Sequence, residues 1–331
     1  AGSWHPHGVD WLYAVSLAAF ALYIVVPLAR SPRRTRYYWQ RLRQNRLAVA
    51  SLAWLSLFFV VGLLAPVLVG EPARNPAVIH NPPVGFTLPE ILAGGCGGTV
   101  SNGACHGSWA HPLGTTGNGR DVLAYVIAGA NVALKVALIT ATLLVPIATV
   151  VGTVAAQFGG RVDTVLMRYV DIQQAIPAFF VYIVAQFLYY PSLALMVLIF
   201  GLLNWGSMAR LVRADALQTG EEEFVLAAES SGNSPLRVVR KHIVPNVSTT
   251  ILTAVTLQIP TLIIIEATLS YLVLGDPRIY SWGQMVGVGM REFPTYWWVP
   301  TMPVVALGLT VVSLNVLGDA LRDAFDPEAN R

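Results

Sequence analysis

Six strongly apolar stretches of this chain contain no Asp, Glu, Lys or Arg: residues 11–29, 47–70, 136–160, 172–209, 243–265 and 293–318. A helix that crosses a bilayer needs about 20 mostly apolar residues, so five of these stretches hold one helix each. The interval 172–209 has room for two, with Tyr190-Pro191-Ser192 as a turn in its middle. The pattern predicts an all-α integral membrane protein with seven transmembrane helices. Between the fifth and sixth of these predicted spans lies EEEFVLAAESSGNSPLRVVRKHIVPN, residues 221–246, which is charged and punctuated by Gly and Pro. Hydrocarbon would leave its charges and broken backbone unsatisfied, so this segment must project into water. Arg213 to Leu226 and Leu236 to Ile243 are expected to form two helices joined at Gly232-Asn233-Ser234-Pro235. Gly supplies the turn, Ser234 can cap, and Pro235 suits the first helical position.

Composition agrees with this class. Of 331 residues 55% are hydrophobic and 12% charged, with a mean hydropathy of +0.58; an ordinary soluble protein has about a quarter of its residues charged. Charge also sets an expected orientation, because Lys and Arg in short loops favour the cytoplasmic side. Residues 30–46, RSPRRTRYYWQRLRQNR, carry seven Arg and no acid. Placing them in the cytoplasm puts the N-terminus outside, residues 71–131 outside, the 221–246 segment inside and the C-terminus inside. Sixteen of the 21 Lys and Arg then lie inside: those seven, Arg161, Arg168, Arg210, Arg213, Arg237, Arg240, Lys241, Arg322 and Arg331. Flanking apolar spans favour this topology over a nucleic-acid-binding patch. Residues 11–29 lack a positively charged leader and are longer than a signal-peptide core of about 7–15 residues, so they are expected to be a retained anchor helix.

The long segment from Glu71 to about Asn131 is rich in turns and is expected to fold as an outer cap. It holds the only two cysteines, Cys96 and Cys105, in GGCGGTVSNGACHG. An oxidising exterior and a flexible Gly-rich interval suggest a disulfide. A metal site would recruit His106, His111 or His80, but the spacing is mixed and there is no CxxC. In a second outer loop, Trp282, Tyr296, Trp297 and Trp298 are expected at the headgroup level rather than on a ligand. Pro177, Pro260 and Pro303 fall within spans and can kink them, so Pro177 and Pro260 are candidates for a pathway or gate. Asp171 and Glu266 are candidate intramembrane acids, although both lie near span ends and could reach the interface. GxxxxGK[ST], GxSxG and HExxH are all absent from the sequence. The chain therefore offers no Walker-type ATP site and no common hydrolase pattern.

Small side chains at Ala227, Ala228, Ser230 and Ser231 would let another protein approach closely. Here the segment resembles the EAA loop of ABC importer permeases, with FVLAAESSG matching xVEAAxxxG and KHIVPN matching RHILPN. Ala227, Ala228, Gly232, His242, Pro245 and Asn246 occupy motif positions, and Phe224, Val225 and Glu229 lie among them. Leu226 stands where the family has Glu, and Lys241 where it has Arg. Four further stretches are similar to the C-type permeases of dipeptide and oligopeptide importers: HPLGTTGNGRDVLAYVIAGA, GGRVDTVLMRYVDIQQAIP, EATLSYLVLGDPRIYSWGQM and LNVLGDALRDAFDP. The match covers most of residues 47–328, leaving out the N-terminal helix and the cysteine insert.

The resemblance implies a six-helix type I importer core preceded by one extra N-terminal helix. The expected organisation is 1–46 for that helix and its basic loop, 47–70 for the first core helix, 71–131 for the extracellular region and 132–331 for the remaining core. The cytoplasmic coupling loop would span 213–246. Expected partners are a B-type permease, two cytoplasmic ATPase subunits, an extracellular substrate-binding protein and membrane lipid, with no nucleic acid. The chain itself would be non-catalytic and bind no cofactor or metal; ATP and Mg would belong to the ATPases. Peptide is the expected cargo, with oligosaccharides or nickel as alternatives. An ion-coupled secondary transporter or a membrane scaffold are rivals of another class.

Overall fold

A computed structural model describes residues 8–70 and 72–325. Arg331, counted above among the inner basic residues, and the last two residues of LNVLGDALRDAFDP lie outside them. The described chain is almost wholly helical. Helices α1 (Gly8–Phe20) and α2 (Val26–Arg30) join through a π turn, Ala21–Val25, into one apolar rod. Then come α3 (Pro32–Leu42), α4 (Arg46–Leu68), α5 (Val122–Phe158), α6 (Gly160–Ala175), α7 (Ala178–Leu188), α8 (Leu193–Leu203) and α9 (Gly206–Gly220). The order ends with α10 (Glu223–Ser230), α11 (Pro235–Val238), α12 (Val244–Tyr271), α13 (Trp282–Gly289) and α14 (Trp298–Phe325).

Six helices among the described residues are long and apolar enough to cross a bilayer: Gly8–Arg30, Arg46–Leu68, Val122–Phe158, Leu193–Gly220, Pro235–Tyr271 and Trp298–Ala324. The pair α6–α7 makes a seventh if its halves, bent by 65°, are taken as one span. That bend falls at Ile176-Pro177, where proline lacks an amide donor and Pro177 takes an extended conformation at the α7 cap. Pro260 and Pro303, by contrast, are absorbed inside α12 and α14. Ser192 ends the Tyr190-Pro191 turn by accepting from the Leu195 amide at 3.2 Å.

Charge-free runs underestimate α5. The helix starts at Val122, well before residue 136, and includes Lys135. Asp121 explains the start: its carboxylate accepts from the Ala124 amide at 2.8 Å and its carbonyl from the Tyr125 amide at 3.1 Å.

Two compact units emerge. One comprises residues 50–136 and 262–313; the other gathers 137–261 with the chain's two terminal stretches, up to Val49 and from Leu314. Helices α5, α12 and α14 each contribute to both.

In the first unit a small antiparallel sheet, ordered β1-β3-β2, is formed by β1 (Thr87–Pro89), β2 (Val100–Ser101) and β3 (Ala104–His106). Cys96 and Cys105 form a disulfide across it, with 5.7 Å between Cα atoms, and Cys105 is fully buried. Beside the sheet lies a core of Leu88, Val122, Tyr125, Met285, Trp298 and Val299. Of the aromatic residues expected at the headgroup level, Trp298 belongs to this core, Tyr296 and Trp297 pack partly buried against it, and Trp282 is buried. Trp298 donates to the Thr115 carbonyl at 3.1 Å, Trp282 to the Val126 carbonyl at 2.9 Å, and the Tyr296 hydroxyl to the Leu92 carbonyl at 2.9 Å. A Cβ on Gly129 would strike the Trp282 indole, so glycine there sets the approach of the ring to α5. The histidines are held by other partners: His80 stacks on Tyr296 and pairs with Glu292 at 3.0 Å, His111 pairs with Asp121 at 2.7 Å, and His106 bonds Ser101 at 2.7 Å. Among the described residues no three His, Cys, Asp or Glu side chains gather as a metal site.

The second unit packs helix on helix through small residues. Gly152 meets the Ala209 carbonyl and Val212, Gly201 meets Leu143, and Gly318 meets Leu257. Gln258 donates to the Asn204 carbonyl at 2.6 Å, tying α12 to the end of α8.

Candidate functional site

The 221–246 segment is built from backbone caps. Helix α9 ends at Gly220, and Glu222 takes an extended conformation to start α10, its carbonyl accepting from Val225 and Leu226 at 2.9 and 3.1 Å. The continuous helix expected from Arg213 to Leu226 is thus two helices, interrupted at Glu221-Glu222.

Helix α10 stops through a left-handed residue. Gly232 has φ +78°, its amide bonds the Glu229 carbonyl at 2.9 Å, and the Asn233 amide bonds the Ala228 carbonyl at 3.3 Å. This is the Schellman pattern, in which glycine at the position after the cap satisfies carbonyls that the helix leaves unpaired. The Asn233 side chain adds a bond to Ala228 O at 2.8 Å, and the hydroxyls of Ser230 and Ser231 fold back onto Leu226 O and Ala227 O. Ser234 occupies the cap of α11 with no side-chain cap bond, so the expected hydroxyl cap is not made; Pro235 takes the first turn as expected. The second helix does not stop at Ile243. A π turn, Val239–Ile243, joins α11 directly to α12, and Pro245 and Asn246 lie in the first turn of α12.

Val225, Val238, Val239, Ile243 and Val247 are buried and seat this segment on its own unit. Phe224 and His242 bring its two halves together, ring centroids 6.2 Å apart. Ala228 is half-buried, while Phe224, Leu226, Ala227 and Glu229 stay exposed, as do Pro245 and Asn246. Leu226 presents apolar surface, 49% exposed, where a glutamate would present charge. An open groove of about 480 Å³ runs beside Leu236, Arg237, Arg240 and Lys241.

Sequence reasoning missed three polar ties, one onto the segment and two between α6 and α9, the helix that leads into it. Arg213 holds Asp163 through two bonds of 2.5 Å, Arg210 holds Asp171 at 2.7 Å, and Gln157 donates to Glu229 at 2.9 Å. Bidentate Arg–carboxylate geometry makes the first the most directional. Separations of 50, 39 and 72 residues leave no local signal for these pairs.

The candidate pathway residues divide between the two compact units. Asp171, Pro177 and Pro260 belong to the same compact unit as the segment, whereas Glu266 belongs to the other. Glu266 is 3% exposed and accepts from the Ser270 hydroxyl at 2.7 Å, with a second bond from Ser281.

The pattern of apolar helices around a capped polar segment coincides with a family assignment. Residues 148–331 match the model of the binding-protein-dependent transport system inner membrane component. The chain belongs to that family. Residues 34–83 of this permease also match the N-terminal transmembrane domain of oligopeptide transport permease C. It is 32% identical over 299 residues to the dipeptide transport system permease protein DppC of Bacillus subtilis, covering 90% of this chain and 87% of that protein. It is 31% identical over 294 residues to the oligopeptide transport system permease protein OppC of the same organism, covering 88% of each chain. The OppC protein of Escherichia coli K12 is 31% identical over 300 residues, with 88% and 92% covered. The chain is therefore a multi-pass permease subunit of an ABC importer, a family whose permease subunits are non-catalytic.

Proposed function

We propose that this permease forms half of a translocation pathway for di- or oligopeptides delivered by an extracellular binding protein, and that residues 221–246 couple it to a cytoplasmic ATPase. A B-type permease completes the pathway, two ATPase subunits bind ATP and Mg, and this chain binds no cofactor of its own. The observation that carries the coupling role is the α10 cap at Gly232, beside which Leu226, Ala227, Ser230 and Ser231 stay exposed to a partner. ATP-driven closure of that partner biases the permease only through contacts that differ between its two states. Peptide as the cargo is supported by the likeness to DppC and OppC.

Orientation follows from the Arg-rich stretch 30–46, which favours a cytoplasmic α3, an outer N-terminus and an inner C-terminus. The Cys96–Cys105 disulfide supports an extracellular sheet subdomain, since such bonds persist on the oxidising side. Helix Gly8–Arg30 is read as an addition to a six-helix core; only 11% of its apolar window is buried, against 50% for Leu193–Gly220, which supports a peripheral place.

The test is Ala228→Trp in the reconstituted complex. Insertion and assembly are expected to persist while peptide-stimulated ATP hydrolysis and nucleotide-dependent uptake fall to background. Normal stimulation in that variant would sink the coupling role, and uptake driven by an ion gradient without nucleotide would sink the importer reading of the cargo step.

A further inference from the structure

Helix α3 is the most strongly two-faced element of the chain and plays no part in the role just described. Thr35, Tyr38 and Leu42 turn towards the protein, and Leu42 is buried. Arg33, Arg36, Tyr37 and Trp39 are exposed, Tyr37 at 49% and Trp39 at 41%. Residues 30–46 hold seven Arg and no acidic residue.

Its position is constrained at both ends. Ser31 alone separates α3 from the apolar rod ending at Arg30, and the Thr35 hydroxyl bonds back to the Leu28 carbonyl at 2.8 Å. At the other end Arg43 to Asn45 lead into α4, whose first turn is capped by the Asn45 side chain at 3.0 and 3.2 Å. Both neighbours are candidate membrane spans. A helix of 11 residues, about 16 Å long, tied this closely to two spans stays within its own length of the bilayer surface, whichever side that is.

We propose that α3 is a docking surface for anionic phospholipid headgroups, engaged through Arg33 and Arg36, with Tyr37 and Trp39 seated at the headgroup level. Charge complementarity favours this occupant: juxtamembrane arginines are attracted to anionic lipid, and amphipathic aromatic rings are stabilised where apolar and wet layers meet. Arg41 is committed elsewhere. Its guanidinium lies 4.8 Å from the Tyr37 ring centroid, approaches the Ala324 carbonyl at 3.4 Å and shares a groove with Asp323. Arg33 and Arg36 have no acid facing them from their own element or from α2, since neither contains one.

The full chain in nanodiscs of phosphatidylcholine, with or without phosphatidylglycerol, provides the test, read by amide hydrogen exchange across residues 32–42. Phosphatidylglycerol is expected to slow exchange there by roughly fivefold per engaged arginine, and high salt to reverse it. Arg33→Gln with Arg36→Gln is expected to lose the slowing while exchange in α5 and α12 is unchanged; Arg33→Lys with Arg36→Lys keeps it. Equal exchange in both lipids, as expected if an acidic protein covers α3 instead, overturns the proposal. So does slowing that survives the Gln pair or disappears in the Lys pair.

Discussion

Two regions of this permease use glycine and hydrogen bonding to opposite ends. Around Trp298 the side chains do the positioning: the ring is 2% exposed, its indole nitrogen is bonded, and Tyr296 and Trp297 pack against it edge-on. In residues 221–246 the backbone does it, through the Glu222 start of α10 and the Gly232 stop, while Leu226 keeps half its surface free. A region held by its side chains has few of them left for a partner. A region whose helix ends are set by caps can display most of them, and the same logic says that damage should show as lost stability in the first and as lost coupling in the second.

The sharpest way to break this contrast is Trp298→Ala, which removes a fully buried aromatic and its hydrogen bond. Thermal unfolding followed by circular dichroism should report a loss of about 3–5 kcal/mol. A smaller loss would mean that the sheet subdomain is held mainly by other contacts. Next in size is Gly232→Ala. Nothing lies within 4 Å of an added Cβ, so its whole cost is the left-handed backbone, about 1–2 kcal/mol, seen as faster amide exchange in α10. A cost near zero would show that the turn relaxes without glycine. Leu226→Glu should change stability by less than about 0.5 kcal/mol, being an exposed position. Its effect is expected instead in ATPase stimulation at saturating peptide, with an unchanged unfolding curve; a stability loss of Trp298 size would erase the distinction between the two regions.

Much of this architecture was legible from the absence of charge, because hydrocarbon tolerates so little of it. Five of the six apolar stretches fall on long helices and 172–209 falls on the broken run of α7 and α8, and the Pro177 bend and the Tyr190-Pro191-Ser192 turn lie where proline chemistry places them. The reading fell short where charge and helix coexist: Lys135 hid the first turns of α5, which Asp121 starts. Patterning also could not foresee that Trp282 and Trp298 pack inward, because an aromatic residue beside a span suits a headgroup or a core equally well. Around the 221–246 segment the motif spacing was local and therefore readable. The Gln157–Glu229 tie onto it and the Asp163–Arg213 pair that holds the preceding helix α9 join residues far apart in sequence, and only folding brings them together.

The π turn at Val239–Ile243 carries one further consequence. Its i→i+5 bonding holds one residue more than an α turn, and one residue is worth about 100° of rotation at 3.6 per turn. Every residue from Val244 onward therefore points about 100° away from where an unbroken helix begun at Pro235 would carry it. The turn acts as a phase shift written into the numbering. Which face of α12 shows Pro245 and Asn246 is decided by a single surplus residue upstream rather than by anything in those two side chains.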